Sequence, residues 1–164
     1  MPAASVRLLR PDEAAAFRAI RLEALEQAPE AFGSMLEDEA TKPLDWFRER
    51  LHGRIVFGAL AGPALVGIAG FYAQSGAKKC HKGVLWGVYV RPAARGSGVA
   101  RRLAEAVIDH ARGRVEILQL TVVTTNAHAR SLYTSLGFVE YGVEQRALKL
   151  GSAYFDEALM AKPL

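Results

Sequence analysis

Residues 84 to 110 constrain the fold more than any other part of the chain. Val84, Leu85, Trp86, Val88, Tyr89 and Val90 are β-branched, aromatic or aliphatic, the composition of a largely buried strand. Val99, Leu103, Ala106, Val107 and His110 then recur at helical spacing, with Arg101, Arg102, Glu105 and Asp109 off that stripe. Between them runs Arg95-Gly96-Ser97-Gly98-Val99-Ala100, so two glycines fall where a helix begins. The first N–H groups of a helix have no partner inside it, and with no Cβ at either glycine an anion can approach them closely. Arg95 adds a formal positive charge. A lone Gly-x-Gly is equally explained by a tight turn, so the surrounding pattern has to decide.

No Gly-Lys-[Ser/Thr] follows, as a Walker phosphate loop requires, and position 101, where a dinucleotide fingerprint needs its third glycine, is arginine. Arg95-x-x-Gly98-x-Ala100, behind an apolar strand and Arg91-Pro92, resembles the [Gln/Arg]-x-x-Gly-x-[Gly/Ala] signature of the GNAT-type N-acetyltransferase superfamily. Further on, Asn126-x-x-Ala129-x-x-Leu132-Tyr133-x-x-Leu136-Gly137-Phe138 is similar to that family's later motif. Each of these positions also has a structural reading. Asn126 is a good N-cap, Ala129, Leu132, Tyr133 and Leu136 share a helical face, and Gly137 suits a left-handed C-terminal cap.

The resemblance implies an α+β fold: a mixed, mostly antiparallel central sheet of about six to seven strands with splayed central strands, flanked by about four helices. It implies one domain over residues 1–164, acetyl-CoA as cosubstrate and no metal. Val88, Tyr89 and Val90 would then bind the pantetheine arm between the splayed strands. Arg95, Gly96, Ser97, Gly98, Val99 and Ala100 would hold the diphosphate, and Asn126 would lie beside the arm. Tyr133 would sit near the thioester sulfur as proton donor, a role its ordinary pKa of about 10 allows.

The implied reaction is acetyl transfer to a primary amine, expected to be a small molecule, by direct attack in a ternary complex. Acetylation of a protein N-terminus or lysine is the alternative, and a non-catalytic acyl-CoA-binding module a third. A backbone N–H of Val88 or Tyr89 is the expected partner of the developing oxyanion. The attacking ammonium must first lose a proton. Many family members carry a glutamate on the central strand for this, yet His81 to Val90 contains no carboxylate. Glu30, Glu37, Glu140, Glu144 and His81 remain as candidates.

Charge distribution agrees with a polyanionic ligand. Nine basic residues (Lys78, Lys79, Lys82, Arg91, Arg95, Arg101, Arg102, Arg112, Arg114) face only Glu105 and Asp109 over residues 78 to 114, in a chain of net charge +4. Localised basic charge favours coenzyme A over nucleic acid. Residues 30 to 41 instead carry Glu30, Glu37, Asp38 and Glu39 and no Lys or Arg, an acidic segment suited to a cationic amine. Glu37 and Asp38 are expected to contribute more than Glu30. The single cysteine, Cys80, forms no intrachain disulfide, and its turn lies far in sequence from the thioester position. The start, Met-Pro-Ala-Ala-Ser-Val-Arg, lacks a signal-peptide run, and no stretch approaches a membrane span, so a cytoplasmic protein is expected. A homodimer is compatible with this reading.

Along the chain, the patterns predict a strand at Val6 to Leu9 and a helix from Pro11 with Phe17, Ile20, Leu22 and Leu25 inward. A loop then holds the acidic segment, followed by a short helix over Pro43 to Leu51 and a hairpin of Ile55 to Leu60 with Leu65 to Tyr72. After the first motif come a strand at Ile117 to Val123, the second motif's helix, and closing strands at Val139 to Leu150 and Tyr154 to Met160.

Overall fold

A computed structural model describes residues 3–164; Met1 and Pro2, which begin the segment read as lacking a signal peptide, lie outside it. Its first strand, β1 (Ser5–Leu8), is tied to the following turn by Glu13. The Glu13 carboxylate accepts from both Arg7 amino groups at 2.9 and 2.8 Å and from the Arg10 N–H at 2.7 Å. The Arg7 guanidinium holds that carboxyl down at about 2, so the clip's stability is complete above about pH 4.5 and is lost as pH falls through 2. Glu13 ends a 3-10 turn (Pro11–Glu13) that leads into α1 (Ala14–Gln27).

On α1 the buried residues include Phe17, Ile20, Ala24 and Leu25, but also Arg21. Leu22, expected inside, is only half-buried. Arg21 can take the inward place because a buried carboxylate meets it there. That carboxylate comes from the acidic segment, which is not a plain loop: it contains a short helix, α2 (Leu36–Ala40), ahead of α3 (Leu44–Gly53). With α4 (Val99–Ala111) and α5 (Ala127–Ser135) the described residues form one α-helix more than the family resemblance implied.

The remaining strands are β2 (Ile55–Ala61), β3 (Ala64–Ala73), β4 (Lys82–Val90), β5 (Ile117–Val123), β6 (Val139–Leu150) and β7 (Ala153–Pro163). They form one seven-stranded sheet in the order β1-β2-β3-β4-β5-β7-β6. Every neighbouring pair is antiparallel except β4 with β5. Alternating side chains feed a core on each face. One face packs Leu103 and Val107 of α4 on Leu118 and Met160, and the other packs Phe17 and Ile20 of α1 and Phe47 of α3 on Ile68.

The inward stripe of α4 is turned relative to the expected one. Ala104, Ile108 and Ala111 are buried in place of Ala106, because a helix lying on a sheet buries a broad face rather than a narrow seam. His110 is packed, as its position on an apolar stripe suggested, with its ring edge-on to Phe57 and Phe71 at 5.8 and 5.4 Å.

What positions the site is the parting of the two central strands. The parallel pair β4 and β5 is joined only at Lys82↔Ile117, Gly83↔Leu118 and Val84↔Gln119. Beyond Val84 they separate. On its other edge β4 pairs Tyr89 with Ile68 and Trp86 with Gly70, so Gly87 and Val88 together oppose Ala69 alone. This is a β-bulge, and Gly87 supplies the left-handed backbone it needs, with φ +65°. The bulge bends β4 and leaves one of its residues without a ladder partner at the mouth of the split.

Candidate active site

A cleft of about 840 Å³ occupies the split and extends to the start of α4 and the face of α5. At its α4 end, Gly96 and Gly98 adopt φ +77° and +78°, and a Cβ built on either would meet nothing within 4 Å. Gly98 is the N-cap of α4 and no side chain caps it, so the N–H groups of the first turn face open space. Arg95 donates from Nε to the Val90 carbonyl at 2.9 Å and lies 5.7 Å over the Tyr89 ring. That clasp fastens the turn to the end of β4 and leaves the two terminal amino groups of Arg95 as donors. Arg101, bonded to Ser135 Oγ at 2.5 Å, lines the same cleft, whose only acidic lining residue among those described is Glu30.

Several expected contacts reduce to backbone. The Ser97 hydroxyl donates to the Ala94 carbonyl at 2.6 Å, which stiffens the turn and removes that side chain from ligand binding. The Val99 side chain is buried in the core, so only its N–H can serve. The Tyr89 ring faces α1, where its hydroxyl donates to Glu23 at 3.1 Å, and burial followed by that bond raises the phenol's pKa. Val88, Tyr89 and Val90 therefore offer main-chain groups to the cleft, and Val90's carbonyl is already engaged by Arg95.

Across the split, Asn126 holds both of its readings at once. Its Oδ1 accepts from the Ala129 N–H at 3.1 Å as the cap of α5, which leaves its amide NH2 as a donor beside the cleft. Tyr133 is 7% exposed and lines the cleft, with its ring edge-on to Phe138 at 5.9 Å. Burial alone pushes its phenol far above the ordinary value, with no charged neighbour contributing. The group stays protonated throughout any useful pH range.

A second cavity of about 470 Å³ adjoins the first on the α1 and α3 side. The two share Trp86 and Gly87 of the bulge and Leu120 and Thr121 of β5. Three arginines, Arg21, Arg50 and Arg54, line it together with Glu157. Glu39, 3% exposed, accepts from Arg21 Nε and Nη2 at 2.9 Å each, and Arg50 approaches the same carboxylate at 3.4 Å. Burial acts to raise the Glu39 carboxyl, but the Arg21 bonds and the charges of Arg21 and Arg50 outweigh it and the pKa is lowered. Glu39→Ala would leave Arg21 buried at 4% exposure with no counter-charge. We expect it to cost about 3 kcal/mol in denaturant unfolding, the penalty of an orphaned buried charge.

The acidic segment therefore does something other than expected. Glu39 belongs to the buried ion pair, Glu37 and Asp38 are exposed and line neither cavity, and Glu30 alone reaches the cleft. The expected ranking of Glu37 and Asp38 above Glu30 is reversed. Among the base candidates, Glu140 is held by Arg130 at 2.7 Å and His81 lines neither cavity. Cys80 is exposed in its turn and likewise lines neither.

The sequence reading missed Glu157. It stands on β7 opposite Glu144, and burial, then the Glu144 charge, raises its carboxyl, with a hydrogen bond to Thr121 opposing. Its signal was a carboxylate placed among Phe155, Leu159 and Ala161 on one face of β7. Arg21 carried a similar signal, a charge on the apolar stripe of α1.

Among the described residues no group of His, Cys, Asp and Glu could hold a metal, and no helix is long and apolar enough to cross a membrane. Residues 17–138 match the acetyltransferase (GNAT) family, and the chain belongs to that family. It is 36% identical over 96 residues to the N-alpha-acetyltransferase RimI of Mycobacterium tuberculosis, a stretch covering 58% of this chain and 59% of that protein. The match thus spans less than two thirds of that relative's length. The crystal structure of a GNAT-family acetyltransferase from Streptococcus pneumoniae superposes with TM-score 0.88 at 24% identity, over 98% of this chain and 99% of that one. Ribosomal-protein-alanine N-acetyltransferase from Brucella melitensis superposes with TM-score 0.79 at 26% identity, over 98% and 99%.

The family uses acetyl-CoA, and the residues present fit it. The open space before Gly96 and Gly98, the uncapped start of α4 and the free donors of Arg95 suit a diphosphate. The parted strands leave room for an extended arm between main-chain groups.

Proposed function

We propose that this protein transfers the acetyl group of acetyl-CoA to a primary amine of a small molecule. The observation that carries the reading is the confluence of two cavities at the bulge: an anion-binding cleft on one side and a smaller, half-open, charged cavity on the other. Incubation of the purified protein with acetyl-CoA and a panel of amines, read by coenzyme A release and product mass, tests it. No amine-dependent release with any member sinks the proposal.

Acetyl-CoA bound there supplies an activated acyl carbonyl with a thiolate leaving group. The diphosphate is held by backbone N–H groups of Gly96, Gly98 and Val99 and by Arg95, with Ala100 alongside at the first turn of α4. Val88, which stands in the bulge outside the pairing with β3, would donate its N–H to a developing oxyanion. Glu157 takes a proton at its carboxylate from the acceptor ammonium, and Tyr133 holds a proton on its hydroxyl for the departing sulfur. Asn126 orients the arm through its amide NH2.

The raised carboxyl of Glu157 gives this assignment a pH signature. As a base it is useful only when ionised, so kcat/KM falls as pH drops through its raised pKa. Glu157→Gln is expected to lower kcat/KM about tenfold at neutral pH and to abolish that limb. Glu144→Gln removes a neighbouring negative charge, lowers the Glu157 pKa and shifts the limb to lower pH. A pH-rate profile of the two variants checks both signs.

A second reading, acetylation of a protein α-amine, draws on the likeness to RimI and to the Brucella melitensis enzyme. Short peptides in the same amine panel separate the two.

A further inference from the structure

The acceptor cavity carries an uneven set of charges. On its helical wall one buried carboxylate, Glu39, answers two guanidiniums, Arg21 at 2.9 Å and Arg50 at 3.4 Å. Arg54, at the end of α3, has no carboxylate partner among the described residues. It is exposed and lies over the rings of Tyr72 and Trp86, 5.3 and 5.5 Å from their centroids. Arg50 is itself stacked over Trp46 at 4.1 Å. Burial, with smaller contributions from the charges of Arg21 and Arg54, lowers the Arg50 pKa while Glu39 opposes them. The opposite wall carries the carboxylate of Glu157 beside Thr121.

A guanidinium stacked on an aromatic face keeps its in-plane N–H donors free, in the fork that matches a carboxylate. The cavity is therefore polarised, cationic on the α3 wall and acidic on the β7 wall. We propose that the acceptor is a free amino acid, its carboxylate held by Arg54 and Arg50 and its ammonium directed to Glu157 at the split. The inference rests on the acetyl-transfer reading above. A protein N-terminus would place a neutral amide where the carboxylate sits and leave Arg54 without a counter-charge. The cavity volume of about 470 Å³ accommodates an amino acid.

The test is a calorimetric titration of the protein with each of the standard amino acids and with its carboxamide, repeated on Arg54→Gln and Arg54→Lys. We expect at least one amino acid to bind at least about tenfold more tightly than its carboxamide, a margin suited to a charge-assisted bond. Arg54→Gln should reduce that margin below about twofold, with Arg54→Lys intermediate and acetyl-CoA affinity unchanged in both. Equal binding of acid and amide, a margin that survives Arg54→Gln, or no binding by any amino acid overturns the inference. In those cases acetyl transfer to other amines in the turnover panel would leave the proposed function standing. Failure of acetyl-CoA to bind or to be consumed with any amine removes the function itself.

Discussion

Gly98→Glu is expected to weaken acetyl-CoA binding by at least about 10³-fold in calorimetry, with the protein still folded. The backbone at Gly98 sits at φ +78°, so any side chain there carries strain of about 1–2 kcal/mol, well within the stability of an ordinary domain. The larger effect is local. A Cβ at this position points into open space at the uncapped start of α4, and a glutamate would place its own carboxylate where the anion meets the free N–H groups. Gly98→Asn separates the causes, because asparagine tolerates the left-handed conformation and adds bulk without charge. It should weaken binding by much less than glutamate and lower Tm less. Wild-type affinity in a folded Gly98→Glu would remove the anion site from this turn.

The cradle and the second motif were legible because their chemistry is carried by local backbone. Gly96 and Gly98 must take positive φ, Asn126 must cap α5, and the apolar runs on either side define where strand and helix meet. The split of β4 from β5 was expected only through resemblance. Its physical cause, the bulge at Gly87 and Val88, depends on how many residues of β3 stand opposite, which no local pattern records. The acceptor side was read poorly for the same reason. Arg21, Glu39, Arg54 and Glu157 come from four separate elements, and although Arg21 and Glu157 interrupt apolar faces, no local pattern shows that the four meet until the sheet and helices assemble. Acidic composition alone suggested a cation-binding loop at residues 30 to 41. Folding turns its most useful carboxylate inward, where two arginines neutralise it, and the cavity is left with an excess of positive charge.

Tyr133→Phe is the other change expected to have a large effect, a fall in kcat of about 10²-fold or more with acetyl-CoA affinity within about twofold of wild type. The ring's edge contact with Phe138 survives the substitution, and the change removes a buried phenol whose pKa is set by desolvation alone. Stability should therefore be little changed, since the substitution keeps the ring and its packing while the hydroxyl borders the cleft. The raised pKa adds a sharper criterion. The Tyr133 hydroxyl holds its proton across the whole assay range, so it cannot generate either limb of the pH-rate profile. Phenylalanine should lower kcat by the same factor at every pH and leave the profile's shape, including the acidic limb assigned to Glu157, where it was. A variant that keeps full kcat means the sulfur leaves without this donor, and one that loses a basic limb means the phenol ionises despite its burial. The first result would return Tyr133 to a packing role on α5, and the second would keep it in catalysis but overturn the protonated-donor role.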